Sequence, residues 1–142
     1  MYMDDLRPDM EWTLPEVTID RERMMDFARL YDPIPLHMDA EYARSTRFGD
    51  LIAPGVMTFM SMWAEFVKLR IFGDELIAGK STKIEWFRPV YAGETLQAKV
   101  RFSALERRNA FNGLAETYME VFNAKGELVL TNITESIVKY RA

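Results

Sequence analysis

The apolar segment over residues 56–71 places the strongest constraint on the fold. Its periodicity predicts a helix that begins after Pro54-Gly55 and ends near Gly73, since glycine suits a helix C-terminus. Apolar residues cover more than one side of this helix, so other elements must enclose it. The apolar-rich stretch is interrupted by polar residues and is shorter than the roughly 20 residues that span a membrane. It therefore predicts a helix inside a globular core.

The sequence after this helix predicts an antiparallel sheet. Residues 95–103 alternate between apolar and polar side chains, a pattern typical of a strand with one buried face. Short turns between consecutive strands imply antiparallel pairing. The other predicted strands are residues 83–90, 114–122 and 127–140, separated by a turn at 91–94, a loop at 109–113 and a turn at 123–126.

The N-terminal third predicts shorter elements. Asp20 and Asp39 each stand where a side chain can cap the first turn of a helix. Pro33 and Pro35 lie between these two helices, and each removes a backbone donor and disfavours a helical predecessor. We accordingly predict a strand over residues 11–18, helices over residues 21–30 and 40–44, and a non-helical segment over residues 32–36.

These patterns together predict an α+β protein in which an antiparallel sheet wraps around one long central helix. The chain has 142 residues, an ordinary size for one domain, and no repeat or linker divides it. Hydrophobic residues make up 49% of the sequence, enough to form a core. We expect a single domain over residues 1–142.

Composition excludes several classes of function. The chain has no cysteine, so disulfides and thiolate chemistry are excluded, and its one histidine, His37, rules out reactions that need two imidazoles in one chain. With 18 basic and 22 acidic residues the net charge is −4, which offers no basic surface for nucleic acid. We expect no metal site. The N-terminus is acidic rather than apolar, so we expect a cytoplasmic protein with no membrane segment.

The candidate chemistry lies around the only histidine. Asp32 precedes His37 by five residues on a proline-braced segment. A carboxylate and an imidazole held together can position a water molecule, with one partner accepting its proton and the other delivering a proton to a substrate. Histidine suits this task because its reference pKa is roughly 6.5. A histidine held by a nearby carboxylate for structural reasons alone is the other interpretation.

The wider sequence around this pair resembles the signature of the MaoC-like dehydratases, which include the (R)-specific enoyl-CoA hydratases. That signature runs approximately Phe-Ala, then Gly-Asp-x-Asn-Pro-x-His, five residues, Ala, and Phe-Gly-x-x-Ile-Ala-His-Gly. A later family element is Phe-x-x-Pro-Val-x-x-Gly-Asp. The matching residues are Phe27, Ala28, Asp32, Pro35, His37, Ala43, Phe48, Gly49, Ile52, Ala53 and Gly55, followed by Trp86 in place of Phe, Pro89, Val90, Gly93 and Glu94 in place of Asp.

The resemblance implies a hotdog fold, usually a homodimer, acting on an acyl-CoA or acyl-carrier thioester without a separate cofactor. By motif position, Asp32 and His37 would activate water for addition to an enoyl thioester, and the Gly55 N–H would bind the thioester carbonyl. The physical chemistry is consistent, since the first N–H groups of a helix have no intrahelical partner and favour negative charge. Glycine also allows a close approach to the backbone.

The sequence departs from the family pattern at several positions. Tyr31 stands at the family glycine, Ile34 at the asparagine and Pro54 at the histidine before the oxyanion glycine. A helix serine of characterised hydratases falls at Trp63 by offset, with Ser61 two residues away. We expect Pro54, Val56 and Trp63 to contact the substrate, although Trp63 is also explained as a core residue.

Two other functional classes remain open at this point. A thioesterase of the same fold would use Glu65 or Asp32 for hydrolysis. A non-catalytic subunit that binds acyl thioesters is the second alternative, and the changes at Tyr31 and Ile34 keep it open.

Overall fold

A computed structural model describes all residues, 1–142. The chain forms one antiparallel sheet and several helices. The strand order is β1-β4-β5-β6-β3, and β2 also pairs with β4. The strands are β1 (Glu11–Thr13), β2 (Val17–Thr18), β3 (Leu76–Trp86), β4 (Thr95–Arg107), β5 (Asn112–Phe122) and β6 (Leu128–Lys139), and the helices are α1 (Arg21–Tyr31), α2 (Pro35–Met38), α3 (Ala40–Arg44) and α4 (Gly55–Lys68). The α+β prediction is confirmed.

The inner face of the sheet packs against α4. In β4 the alternation holds over its first half, where the inward residues Leu96, Ala98, Val100 and Phe102 are buried. From α4, Met62 and Phe66 enter the same core. This packing buries the apolar side of one helix against the apolar side of one sheet, as the patterns predict.

The helix caps follow the predicted chemistry. The Asp20 carboxylate accepts a hydrogen bond from the Arg23 N–H at 2.9 Å at the start of α1, and Asp39 accepts one from the Tyr42 N–H at 3.1 Å at the start of α3. The turns after β3 and β5 contain Gly93 at φ 85° and Gly126 at φ 77°, a left-handed conformation that glycine adopts without strain.

Several sequence-based boundaries are wrong. The strand predicted over residues 11–18 is two short strands, β1 and β2, with residues 14–16 between them. Residues 35–36 are helical, because Pro35 is the first residue of α2, where its missing N–H costs nothing. The strand predicted over residues 83–90 runs instead from Leu76 to Trp86, where its pairing with β6 ends. Helix α4 stops at Lys68, before Gly73, because Arg70 adopts a left-handed φ of 50°.

One side of α4 is not enclosed by the chain. Val56, Met60 and Val67 are exposed on this side, although the sequence pattern predicts a helix covered all round. The edge strand β3 and the residue after it expose four further apolar side chains, Leu76, Ile77, Trp86 and Phe87. None of the helices is both long and apolar enough to cross a membrane.

Candidate active site

An open cavity of about 490 Å³ lies where α2, the first turn of α4 and the end of β3 meet. Its wall includes Asp32, His37 and Gly55, so three candidate residues that are up to 23 positions apart in the sequence share one space. Apolar side chains form much of the remaining wall. An apolar cleft with a few converging polar groups is the usual form of a small-molecule site.

Asp32 is held at the end of α1. Its backbone N–H donates to the Ala28 carbonyl oxygen at 2.9 Å, and its φ of −152° takes the chain out of the helix. The following Pro33 cannot continue the helix. The Asp32 carboxylate is half-exposed and faces the cavity.

His37 lies on the single turn of α2 and is only 6% exposed. Its Nδ1 lies 2.7 Å from the carbonyl oxygen of Ile52, which accepts hydrogen bonds only, so Nδ1 carries a proton. Its Nε2 lies 3.2 Å from Oδ2 of Asp32. The Ile52 carbonyl therefore fixes the tautomer and leaves Nε2 to exchange protons beside the carboxylate.

The segment that carries Ile52 is tied down on both sides. The Ile52 N–H donates to Leu36 O at 3.4 Å, and the Ala53 N–H donates to Val90 O at 2.8 Å. Just before it, the Leu51 N–H and the Arg21 guanidinium both donate to Asp50 and hold the pKa of that carboxyl below its usual range. The segment is consequently fixed against α2 and against the turn after β3.

The first turn of α4 presents free donors next to this pair. The Thr58 N–H donates to Pro54 O at 3.1 Å, whereas the N–H groups of Gly55, Val56 and Met57 have no partner within the chain. These donors, together with the positive end of the helix dipole, favour an oxygen that gains negative charge.

Gly55 is required by contact rather than by backbone conformation. Its φ lies outside the left-handed region, so other residues could adopt this backbone. A Cβ at this position would stand 2.4 Å from Cε2 and 2.5 Å from Nε1 of Trp86. The space that a side chain would fill is taken by the indole, and glycine is needed here because Trp86 packs directly on it.

Comparison with known proteins identifies the family and the fold. The dehydratase domain region of FAS1-like proteins matches residues 11–132, most of the chain. The chain belongs to this MaoC-like hotdog family. Among solved structures it resembles a monoamine oxidase regulatory protein from Archaeoglobus (TM-score 0.94, 25% identity, covering 100% of this chain and 96% of that one).

Two further structures carry hydratase names. The MaoC-like dehydratase from Rhodospirillum rubrum has a TM-score of 0.88 at 23% identity, covering 100% of this chain and 99% of that one. The (R)-hydratase from A. caviae, described as involved in PHA biosynthesis, has a TM-score of 0.75 at 24% identity, covering 96% of this chain and 98% of that one. The hotdog fold in a single domain is thereby confirmed.

Not every predicted site residue of this MaoC-like chain reaches the cavity. Val56 lines it, and Pro54 stands beside it as the residue before α4, with its carbonyl turned into the helix. Trp63 lies eight residues beyond Gly55, about 12 Å along the helix axis. It packs between Phe59 and Phe66 with ring centroids 5.7 Å and 5.2 Å away, and it borders a different, smaller cavity. The structure does not bring Trp63 to the site.

The family departures at Tyr31 and Ile34 lie outside the cavity wall. Both side chains are exposed, and neither contributes a polar group to the Asp32–His37 pair. The orientation of His37 comes instead from the backbone carbonyl of Ile52. The pair thus keeps its geometry without the family asparagine.

Several residues of the MaoC-like site were missed from the sequence. Trp86 and Thr58 line the cavity, and the buried Thr58 hydroxyl donates to Pro54 O at 3.4 Å. Arg47 and Arg88 supply the cations of the wall, and only Arg88 has an ion pair, with Glu127 at 2.9 Å. Trp86 and Arg88 stand in the family-like element over residues 86–94, a pattern that points to the site, whereas Arg47 and Thr58 become visible only in three dimensions.

Proposed function

We propose that the chain is a hydro-lyase that adds water to, or removes it from, a 2-enoyl or 3-hydroxyacyl thioester carried on coenzyme A or a carrier protein. One observation carries this proposal: the Asp32–His37 pair, with Nε2 and Oδ2 3.2 Å apart, shares a cavity with the free N–H groups at the start of α4. Acid–base groups and an oxyanion-binding helix terminus together suit addition next to a carbonyl.

The chemistry follows from these positions. A water molecule hydrogen-bonded to both Asp32 and His37 gives up one proton to the pair while its oxygen bonds to carbon 3 of the enoyl group. The electrons of the double bond move towards the thioester carbonyl, whose oxygen is held by the N–H of Gly55. Carbon 2 then takes a proton from the pair, which returns to its starting state. Since this is acid–base chemistry throughout, the proposal includes no cofactor beyond the thioester.

The direct test uses crotonyl-CoA and follows the loss of the enoyl absorbance. We expect turnover by the natural chain and a fall of roughly 10²- to 10⁴-fold in both Asp32→Asn and His37→Ala, the usual contribution of a general acid–base group. Because both groups act on one water, the activity of the double variant should be only slightly below that of the less active single variant.

A matched control is Asp26→Asn, because Asp26 lies on the exposed side of α1 and pairs only with Arg29. Its activity should equal that of the natural chain. If either site variant kept natural activity while folded, Asp32 and His37 would not be the reacting pair.

A thioesterase is not favoured by the structure. Glu65, one of its two candidate carboxylates, pairs with Lys68 at 3.0 Å and lies outside the cavity, and the other, Asp32, is paired with His37. The same crotonyl-CoA reactions, followed by a reagent for free thiols, separate the two activities. Thiol release without loss of the enoyl group would replace the lyase with a thioesterase.

We further propose that the protein is a homodimer. The exposed side of α4, with Met60 and Val67, continues into the exposed edge strand β3, where Leu76 lines the same small cavity as Val67 and is also exposed. A two-fold partner would cover this apolar surface, and stable interfaces of this kind bury upwards of about 2,000 Å².

Light scattering should give twice the chain mass of 16.6 kDa. Val67→Glu should shift the protein towards the monomer, because it places a charge in the buried interface. Leu30→Glu, an equally drastic change on the exposed side of α1, should leave the dimer intact. A natural chain that stays monomeric at micromolar concentration contradicts the proposal.

A further inference from the structure

The indole of Trp86 is placed directly against the first residue of α4. Three of its ring atoms, including Nε1, lie within 3 Å of the point where a Gly55 Cβ would stand. Trp86 is the last residue of β3, and the next two N–H groups, of Phe87 and Arg88, both donate to Val129 O. The strand end therefore holds the indole over the helix terminus.

The indole N–H is an unused donor in the cavity wall. Trp86 lines the cavity and is 49% exposed, and its Nε1 has no hydrogen-bond partner within the chain. Indole nitrogen can donate but cannot accept a hydrogen bond. The polar edge of this side chain is accordingly free to donate to a molecule that enters the cavity.

The two donors are close enough to share one oxygen. Nε1 lies 2.5 Å from the Gly55 Cβ position, and a backbone nitrogen lies about 2.5 Å from its own Cβ, so the two nitrogens are at most about 5 Å apart. An oxygen that accepts bonds of about 2.9 Å from both can join nitrogens up to about 5.8 Å apart. One carbonyl oxygen can thus accept from both donors at once.

We infer that Trp86 is a second oxyanion donor, whose indole N–H binds the thioester carbonyl oxygen together with the N–H of Gly55. This inference rests on the proposed function. The related sequence element has phenylalanine at this position, and a phenyl ring fills the same place without a donor. In this chain the position supplies a polar group to a site that lacks the family asparagine and helix serine.

The test is Trp86→Phe, which keeps an aromatic ring on Gly55 and removes the N–H. We expect kcat for crotonyl-CoA to fall about 100-fold with little change in KM, because the bond strengthens as negative charge develops on the oxygen. Trp12→Phe is the matched control: Trp12 packs on Phe66 and Phe102, away from the cavity, and its loss should leave kcat unchanged.

A second variant separates the donor from the shape of the ring. Benzothienylalanine replaces the indole N–H by sulfur with nearly the same outline; placed at position 86, it should lower kcat as Trp86→Phe does. The infrared carbonyl band of a bound, unreactive butyryl thioester should also move to higher frequency in both variants, as one hydrogen bond to the carbonyl is lost.

The outcomes distinguish the two proposals. If the natural chain hydrates crotonyl-CoA and both variants keep its kcat and carbonyl band, Trp86 is not a donor and the inference is wrong. A fall in kcat with Trp86→Phe but not with benzothienylalanine also overturns it, because only ring size would then matter. If the natural chain hydrates no enoyl thioester, the proposed function itself fails, whatever the variants do.

Discussion

The two ends of helix α4 are built from similar apolar residues but have different roles, one in a cavity and the other in the core. At its N-terminal end, the backbone N–H groups of Gly55, Val56 and Met57 are left without partners, and Gly55 and Val56 line a cavity. At its C-terminal end, Trp63 and Phe66 pack into an aromatic cluster that continues through the rings of Trp12, Phe72 and Phe102, with neighbouring centroids 5.2 to 6.4 Å apart.

This difference separates reactivity from stability along one helix. Gly55 and Phe66 are eleven residues apart, about 16 Å along the axis. Buried aromatic packing contributes strongly to the free energy of folding, whereas free N–H groups contribute nothing to it and are useful only to a ligand. Substitutions at the two ends should therefore change different measurements.

The largest expected effect is on stability, at the C-terminal end. Phe66→Ala should lower the free energy of unfolding by about 3–5 kcal/mol, because it opens a cavity in the aromatic cluster. Chemical denaturation at fixed protein concentration measures this loss. At a temperature where the variant is folded, its kcat for crotonyl-CoA should equal that of the natural chain.

A conservative partner for this experiment is Phe66→Leu, which keeps most of the buried volume and should cost clearly less than the alanine variant. If folded Phe66→Ala lost kcat by 10-fold or more, stability and activity would not be separated between the two ends of α4. The C-terminal end would then support the site as well as the core.

The smaller effect is on activity, at the N-terminal end. Gly55→Ala should reduce kcat/KM about 100-fold, because the new Cβ overlaps the indole and displaces Trp86 from the oxyanion site. The thermal midpoint should move by only a few degrees. Alanine fits this backbone and restricts the unfolded chain, which offsets the cost of moving a half-exposed side chain.

Gly79→Ala is the matched control for activity, since no atom of the same chain lies within 4 Å of a Cβ at that position and Gly79 lies outside the cavity. It should leave kcat/KM unchanged. In a Trp86→Ala background the additional effect of Gly55→Ala on kcat/KM should shrink, because the displaced group is already gone. An undiminished additional effect would mean that Gly55 acts on the substrate independently of Trp86.

Local patterns predicted most of the fold because local chemistry decides it. The alternation of Leu96, Ala98, Val100 and Phe102 defines β4, and Asp20 caps α1 through its own first turn. The errors arise where distant pairing or a backbone choice decides the boundary. Strand β3 follows its register with β6, and Arg70 ends α4 with a left-handed conformation that favours glycine.

The candidate site was predicted in part, from its sequence spacing. The motif placed Asp32, His37 and Gly55 together, and the structure brings all three to one cavity. The contact between Gly55 and Trp86 joins residues 31 positions apart in the sequence, and a local sequence pattern cannot predict a contact over such a separation. For the same reason the position of Trp63, at the right offset but too far along the helix, is decided only in three dimensions.

The short segment between Ile52 and Gly55 links two parts of the chemistry that are usually considered separately. Its first carbonyl selects the protonated nitrogen of His37, and its last residue, Gly55, carries the N–H that we propose as the donor to the substrate oxygen. Because only two residues separate them and the Ala53 N–H donates to Val90 O, the position of one depends on the position of the other. An insertion or deletion in this segment would therefore displace the proton-transfer group and the charge-binding group together.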